Sequence, residues 1–368
     1  MKYNILHIFS SWTIGGAEKA TLFLADSLQK SGETRNFVGV PSDSFLFKQA
    51  EEKNLTAIHF KAKNSFDPFA ISNLVSIIKK NNIDIVHVHQ GKLYWTALAA
   101  RLFCPKVKVV FHRRQDTRHS FFSRKHYQFA DAVITVSKAV ANGLIKYEKV
   151  PAEKITVVYN GVNFDKFSLD TDFSDIIKNY SLEGKTVVGA VGAIVDLKGK
   201  GQIFLIEAAK ILRNDFSDIR YLIVGAGKGL EDLKQYAKNT GVDDIVYFTG
   251  YQEQVQKFVS AVNIFCLLSW DTEGMPNVLI EAQALKKPVI ATNVGGIPEA
   301  FMNGVTGIMI EPSNVSQTAD AIKEFVKNPG KAKAMGEEGI KFVKEKFTIE
   351  KMVANTLGVY NKIMAAKK

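Results

Sequence analysis

Two carboxylates eight positions apart, Glu273 and Glu281, bracket a turn in the stretch TEGMPNVLIEA at residues 272–282. An ionised carboxylate accepts hydrogen bonds on two oxygens, so each can hold a pair of hydroxyls. The fixed φ of Pro276 suits a first helical turn. Glu281 then lies a little over one turn along the helix, whereas Glu273 precedes it at the positive end. The two are therefore not neighbours on one helix face. Their separation suits gripping two hydroxyl-bearing parts of one ligand, such as a sugar and a ribose, better than it suits an acid/base pair. An acid complementing the helix dipole would account for Glu273, but not for Glu281 inside the apolar run VLIEAQAL.

Other candidate loops also follow strand-like stretches. In SSWTIGGAEKA, Gly15 and Gly16 let backbone approach a ligand, and the helix start behind them offers free N–H groups to an anion; the plain alternative is a tight turn. FHRRQDTRH places His112, Arg113 and Arg114 where substrates bind, against the alternative of a satisfied histidine and a solvated basic face. VGAIVDLKGKG carries Gly192, Lys198 and Lys200 ahead of a helix, a composition that suits a diphosphate or a flexible loop. TNVGGIPEA offers Gly295 and Gly296 before a helix start containing Glu299, a candidate nest for an anion or a sugar. VGAGKG has Gly225, Gly227 and Gly229 at Gly-x-Gly-x-Gly spacing, and no acidic residue ends the next strand. It is a weak dinucleotide signal that reads as a phosphate-side or purely structural turn.

These loops need strands to hold them. YNILHIFS, IDIVHVHQ, KVKVVFHRR and DAVITVS, then KTVVGAVGAI, IRYLIVGAG, NIFCLLS and KPVIATN, alternate with amphipathic helical stretches. That rhythm predicts βαβ units and parallel sheets, an α/β fold. The rhythm restarts after the polar NFDKFSLDTDFSDIIKNYSLEGK, which predicts two Rossmann-like domains with ligand sites at the carboxyl ends of their strands. The expected division is an N-terminal domain over 1–167, a C-terminal domain over 168–345, and a last helix over 346–368 that crosses back to the first domain.

At 368 residues the chain is long for one core, and 46% hydrophobic with 23% charged residues is ordinary for a globular protein. The net charge of +11 is uneven. Residues 1–167 hold 24 Lys and Arg against 13 Asp and Glu, while the remainder holds 24 of each, and all seven histidines lie in the first part. A basic N-terminal half implies an anionic partner there. The segment RRQDTRHSFFSRKHYQF, with Phe121, Phe122, Tyr127 and Phe129, reads either as a face for an anionic membrane surface or as a basic helix with a core-facing side. No nucleic-acid-binding module is present, so nucleic acid is not an expected partner. No apolar run approaches the ~20 residues of a membrane span, and the N-terminus reads as a first strand and not as a signal peptide. Cys104 and Cys266 suggest neither a disulfide framework nor a zinc site, and a reducing cytoplasm fits best.

The set EGMPNVLIEA, GGAE, FHRR, ADAVITVS, VYNGV, VGxxxxxKG, FTGY and PVIATNVGGIPE, spread over essentially the whole chain, resembles glycosyltransferase family 4, retaining enzymes of the GT-B fold. The resemblance implies two Rossmann-like domains facing across a central cleft, the first binding acceptor and the second a UDP- or GDP-linked sugar. It implies hexosyl transfer to a glycan or lipid-linked acceptor in cell-surface polysaccharide or lipopolysaccharide biosynthesis. It also implies work without a cofactor or metal ion; the basic N-terminal segment adds to the cytoplasmic reading a place peripheral on the inner face of the cell membrane.

By the same resemblance, His112 contacts the transferred sugar. Glu273 holds the sugar hydroxyls beside the backbone of Gly274, Met275, Pro276 and Asn277, and Glu281 binds the ribose. Gly295 and Gly296 face the phosphate or sugar, and Gly16 gives a backbone donor near the donor phosphate or the acceptor. Lys198 neutralises the leaving diphosphate with Lys200 as its rival, and Arg113 and Arg114 are acceptor or phosphate candidates. One position departs from the pattern: Ala193 stands where the family usually has arginine. Its absence removes a bidentate, charge-assisted contact worth about 1.5–3 kcal/mol; either Arg113, Arg114 or Lys200 replaces it, or the grip on the donor is weaker. Two other readings are a non-catalytic sugar-nucleotide-binding subunit, which Ala193 favours, and a nucleotide-sugar epimerase of similar two-domain fold.

Overall fold

The computed structural model describes residues 1–10, 15–115 and 125–366. The chain divides into one unit of Met1–Gly161 with Ile349–Lys368 and a second of Val162–Thr348. The division falls at Gly161, six residues before the expected boundary, because Val162 already bridges to Thr348 and donates its N–H to the Phe347 carbonyl at 2.9 Å.

In the first unit, β1 (Tyr3–Ile8), β2 (Thr34–Val40), β3 (Thr56–His59), β4 (Ile85–Val88), β5 (Lys108–Arg113), β6 (Ala132–Thr135) and β7 (Ile155–Val157) form a parallel sheet of order β3-β2-β1-β4-β5-β6-β7. The short, partly exposed β3 has too little apolar content to stand out in the sequence. The helices between strands are α1 (Gly16–Lys30), α2 (Phe45–Glu52), α3 (Pro68–Lys80), α4 (Tyr94–Phe103) and α5 (Lys138–Glu148). Asp67 caps α3 by accepting from the Phe69 and Ala70 N–H groups, with Pro68 at the first helical position. Within FFSRKHYQFA only His126–Phe129 is a described helical turn; Phe121 and Phe122 lie outside the described residues.

Strand alternation sorts this sheet's side chains into two layers. Leu6, Ile8, Val86, Val88, Val109 and Phe111 pack with α3 and α4 residues such as Leu74, Ile77 and Ala97. Ile5, Ile85 and Val110 pack with Leu24 and Leu28 of α1, and with Met352, Val353, Val359, Tyr360 and Ile363. Those last five belong to the C-terminal helix Ile349–Ala365, which thus completes the first unit.

In the second unit, β8 (Thr186–Val191), β9 (Ile219–Val224), β10 (Val246–Phe248), β11 (Ile264–Leu267), β12 (Val289–Thr292) and β13 (Gly307–Ile310) form a parallel sheet of order β10-β9-β8-β11-β12-β13. Between the strands lie α6 (Ser174–Asn179) in the polar joining segment, α7 (Gln202–Leu212), α8 (Leu230–Thr240), α9 (Val255–Ala261) and α10 (Asn277–Ala284), and α11 (Val315–Lys327) and α12 (Pro329–Lys346) follow β13. The C-terminal helix is α13. IPEAFM forms only a 3-10 turn at Ile297–Glu299. The continuously apolar IFCL and VIAT are fully buried, as central strands of a sheet covered on both faces must be.

Candidate active site

Each unit places candidate residues at the carboxyl ends of its own strands. In the second unit, β11 ends at Leu267 and α10 begins at Asn277, with Pro276 at the N-cap and not inside the first turn. Glu273 sits in this loop with its side chain largely buried. Its Oε1 accepts from Lys200 Nζ at 2.7 Å and from Ser269 Oγ at 2.9 Å. Lys200 is half exposed, so the ion pair is worth at most ~1 kcal/mol and serves to position more than to stabilise. Glu281 lies half-buried along α10, while Gly274, Met275 and Pro276 are buried around the helix start.

Two neighbouring loops fix this arrangement. Gly201, at φ 86°, precedes α7, and a Cβ there would lie 1.9 Å from the Leu268 carbonyl oxygen, so only glycine lets the lysine loop meet the end of β11. Gly295, at φ 51°, is under the same constraint, its Cβ falling 2.1 Å from the Glu273 carbonyl oxygen. The Gly296 N–H donates to that carbonyl at 2.9 Å. These two glycines thus fix the Glu273 backbone, and the Gly296 N–H is already engaged there.

The two lysines part company. Lys200 reaches Glu273, whereas the Lys198 Nζ lies over the Trp270 ring, 4.5 Å from its centroid. Gly225, Gly227 and Gly229 close against the backbone of Gly192, Ile194 and Asp196, with Gly192 N–H donating to Val224 at 3.0 Å and Gly229 N–H to Ile194 at 3.0 Å. They serve as a structural turn that braces the lysine loop. Ala193 is exposed on that loop.

In the first unit, Gly16 opens α1, whose start is tied by the Gly15 N–H donating to Glu18 Oε2 at 3.0 Å. Among the described residues, nothing lies within 4 Å of where a Gly16 Cβ would stand. His112 on β5 is buried, and neither ring nitrogen finds a hydrogen-bond partner among the described residues. Burial holds its pKa well below the ordinary value, helped by the positive Arg114 and by His87 and His7. Arg114 donates to Asn160 Oδ1 at 3.1 Å, and burial lowers its pKa to about 10, opposed by Glu18, so it stays cationic at neutral pH. Arg113 points to the other layer and is buried, its positive charge acting on the buried Tyr94 and Tyr127. The structure therefore separates the two arginines. Tyr127 is also buried, whereas Phe129 is exposed.

Sequence reading gave no role to Ser269 and Trp270, or to Glu18 and Asn160, although the last two lie inside GGAE and VYNGV; folding recruits all four. It also passed over His7, His87 and His89, which join His112 in one buried layer. The available signal was His-x-His in IDIVHVHQ with a histidine at the matching place in the first strand.

Comparison with known proteins gives a consistent picture. Residues 172–342 match the family described as glycosyl transferases group 1, and residues 14–166 match glycosyltransferase family 4. The chain is 27% identical over 314 residues to N-acetyl-alpha-D-glucosaminyl L-malate synthase of Bacillus anthracis, covering 82% of this chain and 81% of that protein. It superposes on a crystal structure of a glycosyltransferase from Rickettsia africae with a TM-score of 0.90 at 25% identity, covering 100% of both chains. It also superposes on Anabaena HepE, crystallised with UDP-glucose, with a TM-score of 0.85 at 21% identity, covering 98% of this chain and 100% of that one.

Proposed function

Since this chain belongs to glycosyltransferase family 4 and has the GT-B fold, we propose that it moves a sugar, with retention of configuration, from a nucleotide diphosphate sugar to a glycan or lipid-linked acceptor. The second unit binds the donor and the basic first unit binds the acceptor. The observation that carries this reading is the Glu273 carboxylate, fixed through Oε1 by Lys200 and Ser269 beside the start of α10. Its Oε2 accepts sugar hydroxyls, and Glu281 holds the ribose.

Lys200, already at Glu273, carries the phosphate charge, and Lys198 on Trp270 is secondary. The glycosidic bond breaks through an oxocarbenium-like state, and fixed cations and helix N-termini stabilise the departing diphosphate. The leaving phosphate takes the acceptor proton, so no protein base and no metal on the diphosphate is needed. His112, neutral and without a partner among the described residues, turns a ring nitrogen to the transferred sugar.

Work at an anionic membrane, in cell-surface polysaccharide synthesis, is supported by exposed apolar side chains on the basic unit. Phe66 stacks on Trp95, Trp95 also meets Phe129, and Phe69 nearby in sequence is 85% exposed. Among the described residues no helix is long and apolar enough to cross a membrane.

Thermal denaturation with a panel of nucleotide diphosphate sugars tests the donor reading. A ligand at 100 times its Kd adds about 2.7 kcal/mol, so the true donor raises the midpoint by several degrees. No rise with any uridine or guanosine diphosphate sugar removes the reading. Donor binding without transfer to any acceptor would leave a binding subunit, and product formed from donor alone would leave an epimerase.

A further inference from the structure

Strand alternation stacks four histidines in the layer under α1 and α13. His7 on β1 pairs in register with His87 on β4, His89 follows two residues on, and His112 lies on β5 beside them. Ring centroids are 4.3 Å apart for His87 and His89, and 5.2–5.3 Å apart for His7 with each of them. All three are buried, and one ring nitrogen from each lies within 4.8 Å of the others. We propose that His7, His87 and His89 form a binding site for a first-row transition-metal dication of the zinc type, buried beneath the carboxyl end of the first sheet.

The hydrogen bonds around the three rings have the pattern such a site requires. A metal-bound imidazole gives its second nitrogen to a fixed partner, which sets tautomer and orientation. His7 Nε2 lies 3.1 Å from Asn36 Oδ1, an acceptor, so the proton sits on Nε2 and the Nδ1 lone pair faces inward. His87 Nδ1 lies 2.7 Å from the Tyr360 hydroxyl, and its Nε2 finds no partner among the described residues. His89 turns Nε2 toward His7 Nδ1 at 3.0 Å. Two imidazole nitrogens on a tetrahedral ion with bonds of 2.0–2.1 Å stand roughly 3.3 Å apart, close to the 3.0 Å between His7 Nδ1 and His89 Nε2, and the nitrogen of His87 lies within 4.8 Å of both and closes on the ion by turning its ring.

Without an ion, His87 Nε2 and His89 Nδ1, which find no partner among the described residues, are buried polar atoms of the kind native interiors avoid. An ion on His87 Nε2 relieves one of them. Burial also keeps all three imidazoles neutral, the form that binds metal. Arg114 opposes a second positive charge nearby, and Glu18 partly offsets Arg114. The site joins β1 and β4 to α13 through Tyr360, and it stands on geometry independent of the transferase reading.

Cobalt(II) titration of the full chain, expressed without a polyhistidine tag and stripped with chelator, tests the site. The expected result is one equivalent bound per chain, with the visible absorption of a nitrogen-ligated ion that zinc displaces. Tyr360→Phe keeps the ring packed and removes the partner of His87, so it should weaken binding roughly 10–100-fold. His87→Gln should abolish the absorption. Folded wild-type protein that takes up no stoichiometric cobalt or zinc overturns the proposal, as does uptake left unchanged by Tyr360→Phe and His87→Gln. If His87→Gln does not fold, the wild-type stoichiometry and Tyr360→Phe decide.

Discussion

Glu273 meets a lysine and a serine on one oxygen before any ligand arrives, so its charge is oriented in advance of binding. Glu273→Gln keeps the shape and removes the charge. A charge-assisted hydrogen bond of about 1.5–3 kcal/mol corresponds to a loss of roughly 10–150-fold in kcat/KM for donor turnover. The melting midpoint should change little, because the partner lysine is half exposed. Lys200→Ala should cost more turnover than Lys198→Ala; the reverse order would return the phosphate role to Lys198. Two lysines two positions apart could not be ranked from sequence, since the difference lies in which one reaches across to the end of β11.

Among the secondary elements, the strand-to-helix turns carry the local constraints. Gly201→Ala forces a Cβ into the Leu268 carbonyl at a positive φ, so it should destabilise the second unit by more than 1–3 kcal/mol and abolish any donor-induced rise in melting temperature. Gly16→Ala, with no described residue near its Cβ and a helical setting, should leave stability unchanged. Gly16→Ala therefore reports only on ligand approach.

The histidine layer makes a pH prediction. His7 titrates near pH 4 in the fold, and His87, His89 and His112 well below their ordinary value, because burial disfavours their cations. The unfolded chain binds these protons near pH 6.5. Stability is therefore complete above that pH and falls as pH drops toward the folded values, by about 1.4 kcal/mol per pH unit for each histidine. Denaturant melts between pH 7 and 5, with chelator present, should show the first unit weakening while the second, which has no histidine, changes far less. Equal slopes in the two units would contradict this.

In the molecule as a whole, the chain leaves its first unit at Gly161, builds the second, and returns at Ile349. Helix α13 buries Met352, Val353, Val359, Tyr360 and Ile363 in the first unit. At ~1.5–3 kcal/mol for each buried side chain, its removal withdraws about as much as a whole domain's net stability. A chain ended at Thr348 should lose hydrogen-exchange protection in β1 and β4 while β8 and β11 stay protected. Protection that survives in β1 and β4 would show the C-terminal helix to be an accessory.

Alternation of apolar strands with amphipathic helices was legible in the chain because burial on both faces demands it, and so two parallel sheets could be read directly. The Glu273 and Glu281 pair was legible as well, because the loop-to-helix change between them is a local signal. Local patterns could not show that Lys200 and Ser269 converge on Glu273, that Arg113 and Arg114 part to opposite layers, or that Gly296 is engaged by the Glu273 backbone. Nor could they show three histidines from two strands meeting under Tyr360, 273 residues on from His87. Those contacts depend on strand order and register, which join residues far apart in sequence, and only the packed sheet decides which side chains meet.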